Sequence, residues 1–115
     1  MTVTIYHNPR CSKSRATLAL LKERGIEPHV VDYLENPPSE AELEEILKKL
    51  GVGPRDIMRK GELIYRDLGL DQAGLSDKAL IAAMHEHPVL IERPIVVKGE
   101  RAALGRPPEA VLEIL

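Results

Sequence analysis

The chain contains no phenylalanine and no tryptophan, and its aromatic side chains are limited to Tyr6, Tyr33 and Tyr65. Its core must therefore be aliphatic, packed from Leu, Ile, Val and Ala within a 43% hydrophobic fraction. No apolar run approaches the roughly 20 residues that cross a bilayer. The opening MTVTIYHNP has neither a charged leader nor an apolar stretch, so a cytoplasmic protein is expected. Neither sign of charge prevails: 16 Lys and Arg against 18 Asp and Glu give a formal net charge of -2. That balance removes any global electrostatic case for nucleic acid or an anionic membrane as partner. Cysteine occurs once, at Cys11. A single thiol excludes an internal disulfide, fits a reducing compartment, and leaves no second sulfur in the chain to resolve whatever Cys11 forms. With 115 residues the chain is expected to form one domain, 1–115, and is taken as a monomer.

What is present is an ordered alternation of strand and helix signals. Thr2 to Tyr6 alternate polar and apolar residues and stop at Asn8-Pro9, which predicts a first strand. Ser12 to Arg24, rich in Ala and Leu and followed by Gly25, predicts a helix with a left-handed cap. His29 to Tyr33 reads as a second strand centred on Val30 and Val31, parallel to the first. Ser39 and Glu42 form a capping box ahead of Leu43, Ile46, Leu47 and Leu50, and Gly51 ends that helix. Pro54 opens a short helix to about Met58, a further one covers about Gly61 to Leu68, and Ser76 caps one reaching about His85. Ile95-Val96-Val97, Lys98-Gly99 and Glu100 to Leu104 predict a hairpin, and Pro107 or Pro108 begins a last helix ending at Leu115. The order is βαβ, a helical insertion, then ββα. It folds most simply as an α/β, thioredoxin-like domain with a four-stranded mixed sheet flanked by helices.

In that arrangement Cys11 falls where the first strand hands over to a helix N-terminus. Free amides and the positive end of the macrodipole meet there. The stretch HNPRCSKSR adds basic neighbours, so Cys11 is expected to be a lowered-pKa thiolate rather than an inert core thiol. His7, Lys13 and Arg15 are expected to tune that thiol, in an anion-binding loop that also includes Asn8, Ser12 and Ser14. The same amides suit a tetrahedral oxyanion whose central atom the sulfur attacks. Arg59, Arg93 and Arg106, each in or beside a turn, are candidates for the further positive charge, because a guanidinium fork donates two parallel hydrogen bonds and stays charged. His85 and His87 offer too few ligands for a metal and are read as surface residues.

The stretches IYHNPRCSKSR, YLENPP, IMRK, LGL, HPVLIERPIVV and GRPPEAVLEIL, in this order and over essentially the whole chain, resemble the glutaredoxin-dependent arsenate reductase family. That family is related to the Spx-type regulators within the thioredoxin-like fold. The resemblance implies reduction of arsenate to arsenite with Cys11 as nucleophile and Arg59, Arg93 and Arg106 holding the oxyanion and its intermediates. It implies that His7 lowers the thiol pKa. It also implies glutathione as co-substrate, glutaredoxin as partner, and no bound cofactor or metal. Ser14 stands where a dithiol protein carries a second cysteine, so an external thiol must complete the reaction. Two other readings stay open at this stage: an Spx-like regulatory binding protein, and a glutathione-linked thiol oxidoreductase without arsenate activity.

Overall fold

The computed structural model describes residues 2–115. Contacts divide it into two compact units, the described residues up to Asn36 with Arg93–Leu115, and Pro37–Glu92.

The first unit is built on a four-stranded sheet. Its strands are β1 (Val3–His7), β2 (His29–Asp32), β3 (Ile95–Lys98) and β4 (Arg101–Leu104), in the order β2-β1-β3-β4. β1 runs parallel to β2, with Ile5 opposite Val30, and antiparallel to β3, with Ile5 opposite Val96. β3 and β4 form the hairpin, closed between Lys98 and Arg101 by Gly99-Glu100, where Gly99 takes a φ of 59°. The parallel β1–β2 pair requires a crossover, and α1 (Ser12–Glu23) supplies it. The helix ends at Arg24 and the chain reverses at Gly25, whose φ of 76° an L side chain tolerates poorly. Val3, Ile5, Leu21, Val96, Val111 and Ile114 form the buried core, with Leu18, Leu20, Ile26, Ala103 and Leu115 packed against it.

Two expectations shift here, and one holds with an addition. The last helix is a 3-10 helix, Pro108–Ile114, not an α-helix, and it buries Val111 and Ile114. Val30 and Val31 are central in β2 as expected, but β2 lies at the sheet edge and Val30 is 44% exposed. Lys98, expected in the turn, pairs within the ladder opposite Arg101.

The second unit is helical. α2 (Glu40–Leu50) starts on the expected capping box: Glu42 N–H donates to Ser39 Oγ at 3.1 Å, and Ser39 N–H donates to Glu42 Oε1 at 3.0 Å. Such a pair satisfies two otherwise unpaired amides of the first turn. A 3-10 turn (Pro54–Ile57), the short α3 (Leu63–Asp67), α4 (Asp77–Glu86) and a 3-10 turn (Pro88–Leu90) complete the unit. Leu43, Ile46, Ile57, Leu80, Met84 and Leu90 are buried, and the Arg55 guanidinium donates to the carbonyls of Leu70 and Gln72. His85 is not simply a surface residue: it is half-buried, and its Nδ1 donates to the Pro38 carbonyl at 2.9 Å. An antiparallel bridge joins Met58 to Ile91, flanked by Arg59 N–H to Leu90 O and Glu92 N–H to Ile57 O, both 2.7 Å. Among the described residues no helix is long and apolar enough to cross a membrane.

Candidate active site

The site is organised around the turn Asn8-Pro9-Arg10-Cys11, closed by Cys11 N–H donating to Asn8 O at 3.0 Å. Pro9 fixes φ inside this turn and stops the β1 ladder. Asn8 Oδ1 then accepts from Arg10 N–H at 3.0 Å, and the Arg15 guanidinium donates to Pro9 O at 2.9 Å. Cys11 is thereby set as the N-cap of α1, in extended conformation with φ -95° and ψ 123°. Its side chain is buried, unlike those of its neighbours Arg10, Ser12 and Lys13.

Burial alone would push the Cys11 thiol up. It lies below its ordinary value because the Ser14 amide, the Arg93 charge, the Lys13 amide and a hydrogen bond from the Arg93 guanidinium all favour the anion. The neutral thiol closes no capping hydrogen bond, whereas the thiolate is a strong acceptor for those two first-turn amides. The cationic contribution comes from Arg93. The side chains of Lys13 and Arg15, expected to help, are exposed, and Arg15 is directed to the Pro9 carbonyl.

Beneath the loop, His7 Nδ1 and Ser14 Oγ share a buried hydrogen bond of 2.6 Å, and Ser14 Oγ also accepts from Asn8 N–H at 3.0 Å. Burial lowers the pKa of His7, with Arg15 and Lys22 adding to the shift and Asp32 opposing it. His7 is thus mainly a neutral imidazole at neutral pH, acting through the position of Ser14 rather than through a charge.

Arg93 and Arg106, the two oxyanion candidates in this unit, are placed by a close approach of three segments. Gly105 N–H donates to Pro94 O at 2.9 Å, and a Cβ at Gly105 would lie 2.6 Å from Thr17 Oγ1 and 2.7 Å from Pro94 Cγ. Only glycine lets the end of β4, the start of β3 and α1 meet there. Arg93 and Arg106 adjoin Pro94 and Gly105 in the chain, both precede cis prolines, and Arg106 Nη1 donates to the Arg93 carbonyl at 3.3 Å. Arg93 reaches Cys11, and Arg106 ties down Arg93. Arg59 belongs to the helical unit, where its guanidinium lies 3.3 Å from the Glu62 carboxylate. Sequence reasoning passed over Thr17 and Gly105. The available signals were a buried threonine within an Ala- and Leu-rich helix, its hydroxyl donating to Lys13 O at 2.8 Å, and the Gly-Arg-Pro that follows β4. Among the described residues no group of three or more His, Cys, Asp or Glu side chains could hold a metal ion.

A cysteine at the N-terminus of the first helix, after the first strand of a β2-β1-β3-β4 sheet and met by an arginine from just before β3, defines a single-thiol protein of the thioredoxin-like fold. The chain belongs to the ArsC family, which it matches over residues 6–114. It is 57% identical over 114 residues to the uncharacterized protein YfgD of Escherichia coli, covering 98% of this chain and 96% of that one. It is 53% identical to the arsenate reductase of Haemophilus influenzae, with 100% of each chain covered. Among solved structures, the arsenate reductase from Vibrio cholerae superposes with a TM-score of 0.97 at 58% identity, covering 100% of this chain and 98% of that one.

Proposed function

We propose that this protein is an arsenate reductase, with Cys11 as the nucleophile and glutathione and glutaredoxin as the external thiols. The observation that carries the reading is the convergence of Arg93 and two α1 amides on Cys11. An environment that favours one anion at the helix N-terminus also favours a bound oxyanion beside it. The 53% identity to a protein named arsenate reductase supports arsenate as that oxyanion.

The steps balance as follows. The Cys11 thiolate attacks As(V) and forms an S–As bond, and one oxygen leaves as water with its electron pair after taking protons from solvent. A glutathione thiol displaces a second oxygen as water in the same way. A glutaredoxin thiolate then attacks the glutathione sulfur. The new S–S bond forms, the glutathione S–As bond breaks, and its electron pair stays on arsenic, which becomes As(III). Water cleaves the remaining bond to Cys11, releasing arsenite and restoring the thiol. The two external thiols end as one disulfide and supply both electrons, as a chain with a single cysteine requires. Arg93 and Arg106 donate to arsenate oxygens as they are displaced, Arg59 is a third oxyanion contact, and no cofactor is bound. His7, Asn8, Ser12, Lys13, Ser14 and Arg15 set the loop, and the protein acts as a cytoplasmic monomer, one domain over 1–115.

The test is arsenite formation from arsenate by the purified protein. It is expected to require both glutathione and glutaredoxin and to disappear in Cys11→Ser. Undiminished turnover in that variant, or none in the unsubstituted protein, overturns the reading.

A further inference from the structure

We propose that the cavity lined by Asn8, Pro9, Arg10, Asp32, Leu34 and Glu35 receives the amino-acid end of a low-molecular-weight thiol, the ammonium and carboxylate group that glutathione carries, and so brings its sulfur to the group bound on Cys11. This rests on the reading that Cys11 depends on an external thiol.

The cavity encloses about 350 Å³, within the roughly 300–1,000 Å³ typical of small-molecule sites. One wall is the first three residues of the turn that Cys11 closes, so the nucleophile lies one peptide unit from Arg10, about 3.8 Å between α-carbons. The other wall is the turn after β2. It is held by Asp32 Oδ1 accepting from Leu34 N–H at 3.2 Å and by Asp32 O accepting from Glu35 and Asn36. Each strand of the parallel pair thus ends at this cavity, and the register places His7 opposite Asp32.

Its charges are mixed and, among the described residues, outside any ion pair. Arg10 faces a cavity that also carries the carboxylates of Asp32 and Glu35, yet among the described residues neither acid forms an ion pair with Arg10 or with any other cation. A ligand that is only an anion meets two carboxylates there, and one that is only a cation meets a guanidinium. A group with ammonium beside carboxylate satisfies both, with the carboxylate on the Arg10 fork and the ammonium on Asp32 or Glu35. The Asn8 side-chain amide retains its N–H donors after its oxygen has accepted from Arg10 N–H, and Leu34 supplies an apolar contact.

The test needs no arsenate. Cys11 is converted to its mixed disulfide with thionitrobenzoate. The incoming thiolate attacks the Cys11 sulfur, a new S–S bond forms, and thionitrobenzoate leaves with the electron pair and is followed by its absorbance. Rates are measured with glutathione and with 2-mercaptoethanol, which has no charged end. In the unsubstituted protein the glutathione rate is expected to saturate with concentration, while the mercaptoethanol rate rises linearly. In Arg10→Ala and in Glu35→Gln, both at exposed positions, the ratio of glutathione to mercaptoethanol rate constants is expected to fall about fivefold, as loss of one exposed ion pair allows. A linear glutathione rate, or a ratio unchanged in both variants, overturns the proposal. If arsenate is not the substrate, arsenite formation fails while the glutathione preference persists, so the two failures are distinguishable.

Discussion

His7 Nδ1 and Ser14 Oγ lie 2.6 Å apart in a buried hydrogen bond that joins the end of β1 to the first turn of α1 beneath the Cys11 loop. Ser14 Oγ also accepts from Asn8 N–H, so one hydroxyl serves both the strand and the turn. Ser14→Ala leaves His7 Nδ1 and the Asn8 amide without that partner. It should lower unfolding free energy by about 1–3 kcal/mol, the cost of unsatisfied buried polar groups. A urea titration checks this: the midpoint should fall while the m-value stays constant.

The same pair carries a pH dependence. Burial depresses the pKa of His7, so below the ordinary histidine value of about 6.5 the unfolded chain takes up a proton that the native state resists. The stability contributed by neutral His7 is therefore present in full above that value and is lost as pH falls below it. Thermal unfolding between pH 7.5 and 5 should show the unsubstituted protein losing more stability than His7→Gln. Parallel curves for the two proteins would assign the loss to other groups.

The local signals were legible and the distant ones were not. The capping box at Ser39 and Glu42, the left-handed glycines 25 and 51, and the break at Asn8-Pro9 each depend on residues within a few positions of one another. Alternation placed β1, the apolar run Ile95-Val96-Val97 ahead of Lys98-Gly99 placed β3, and position at a helix start marked Cys11. What a sequence scan does not carry is which arginine acts on the sulfur, since Arg93 comes from just before β3 while the nearer Lys13 and Arg15 side chains are exposed and Arg15 is bonded to the Pro9 carbonyl. Nor does it show that Val30 sits on an edge strand, or that Thr17 and Gly105 touch, because both follow from strand order rather than from local pattern.

That contact yields a third prediction. Gly105→Ala would push a methyl group to 2.6 Å from Thr17 Oγ1 and 2.7 Å from Pro94 Cγ, so Gly105 or these side chains and the segments that carry them must shift. Overpacking of this kind costs about 1–3 kcal/mol. Because the displaced segments carry Arg93 and Arg106, activity should fall by more than the unfolded fraction explains. The double variant Thr17→Ala with Gly105→Ala should recover part of the stability, which chemical denaturation of the three proteins measures.

The electrostatics of the thiol give the last prediction. Burial raises the Cys11 pKa, and the Ser14 amide, Arg93 and the Lys13 amide more than offset it. Alkylation of the unsubstituted protein by iodoacetamide should therefore show an inflection below the ordinary thiol value of about 8.5. Arg93→Ala removes the charge and a hydrogen bond to the sulfur while burial persists, so its inflection should move upward, by about one unit for each 1.4 kcal/mol of lost preference for the anion. Arg59→Ala should leave the inflection in place, because Arg59 is not among the groups acting on the sulfur, while its proposed role as an oxyanion contact predicts a lower kcat/KM for arsenate. Equal alkylation profiles for Arg93→Ala and the unsubstituted protein would show that the amides of α1 alone hold the thiolate, and would leave Arg93 acting on arsenate only.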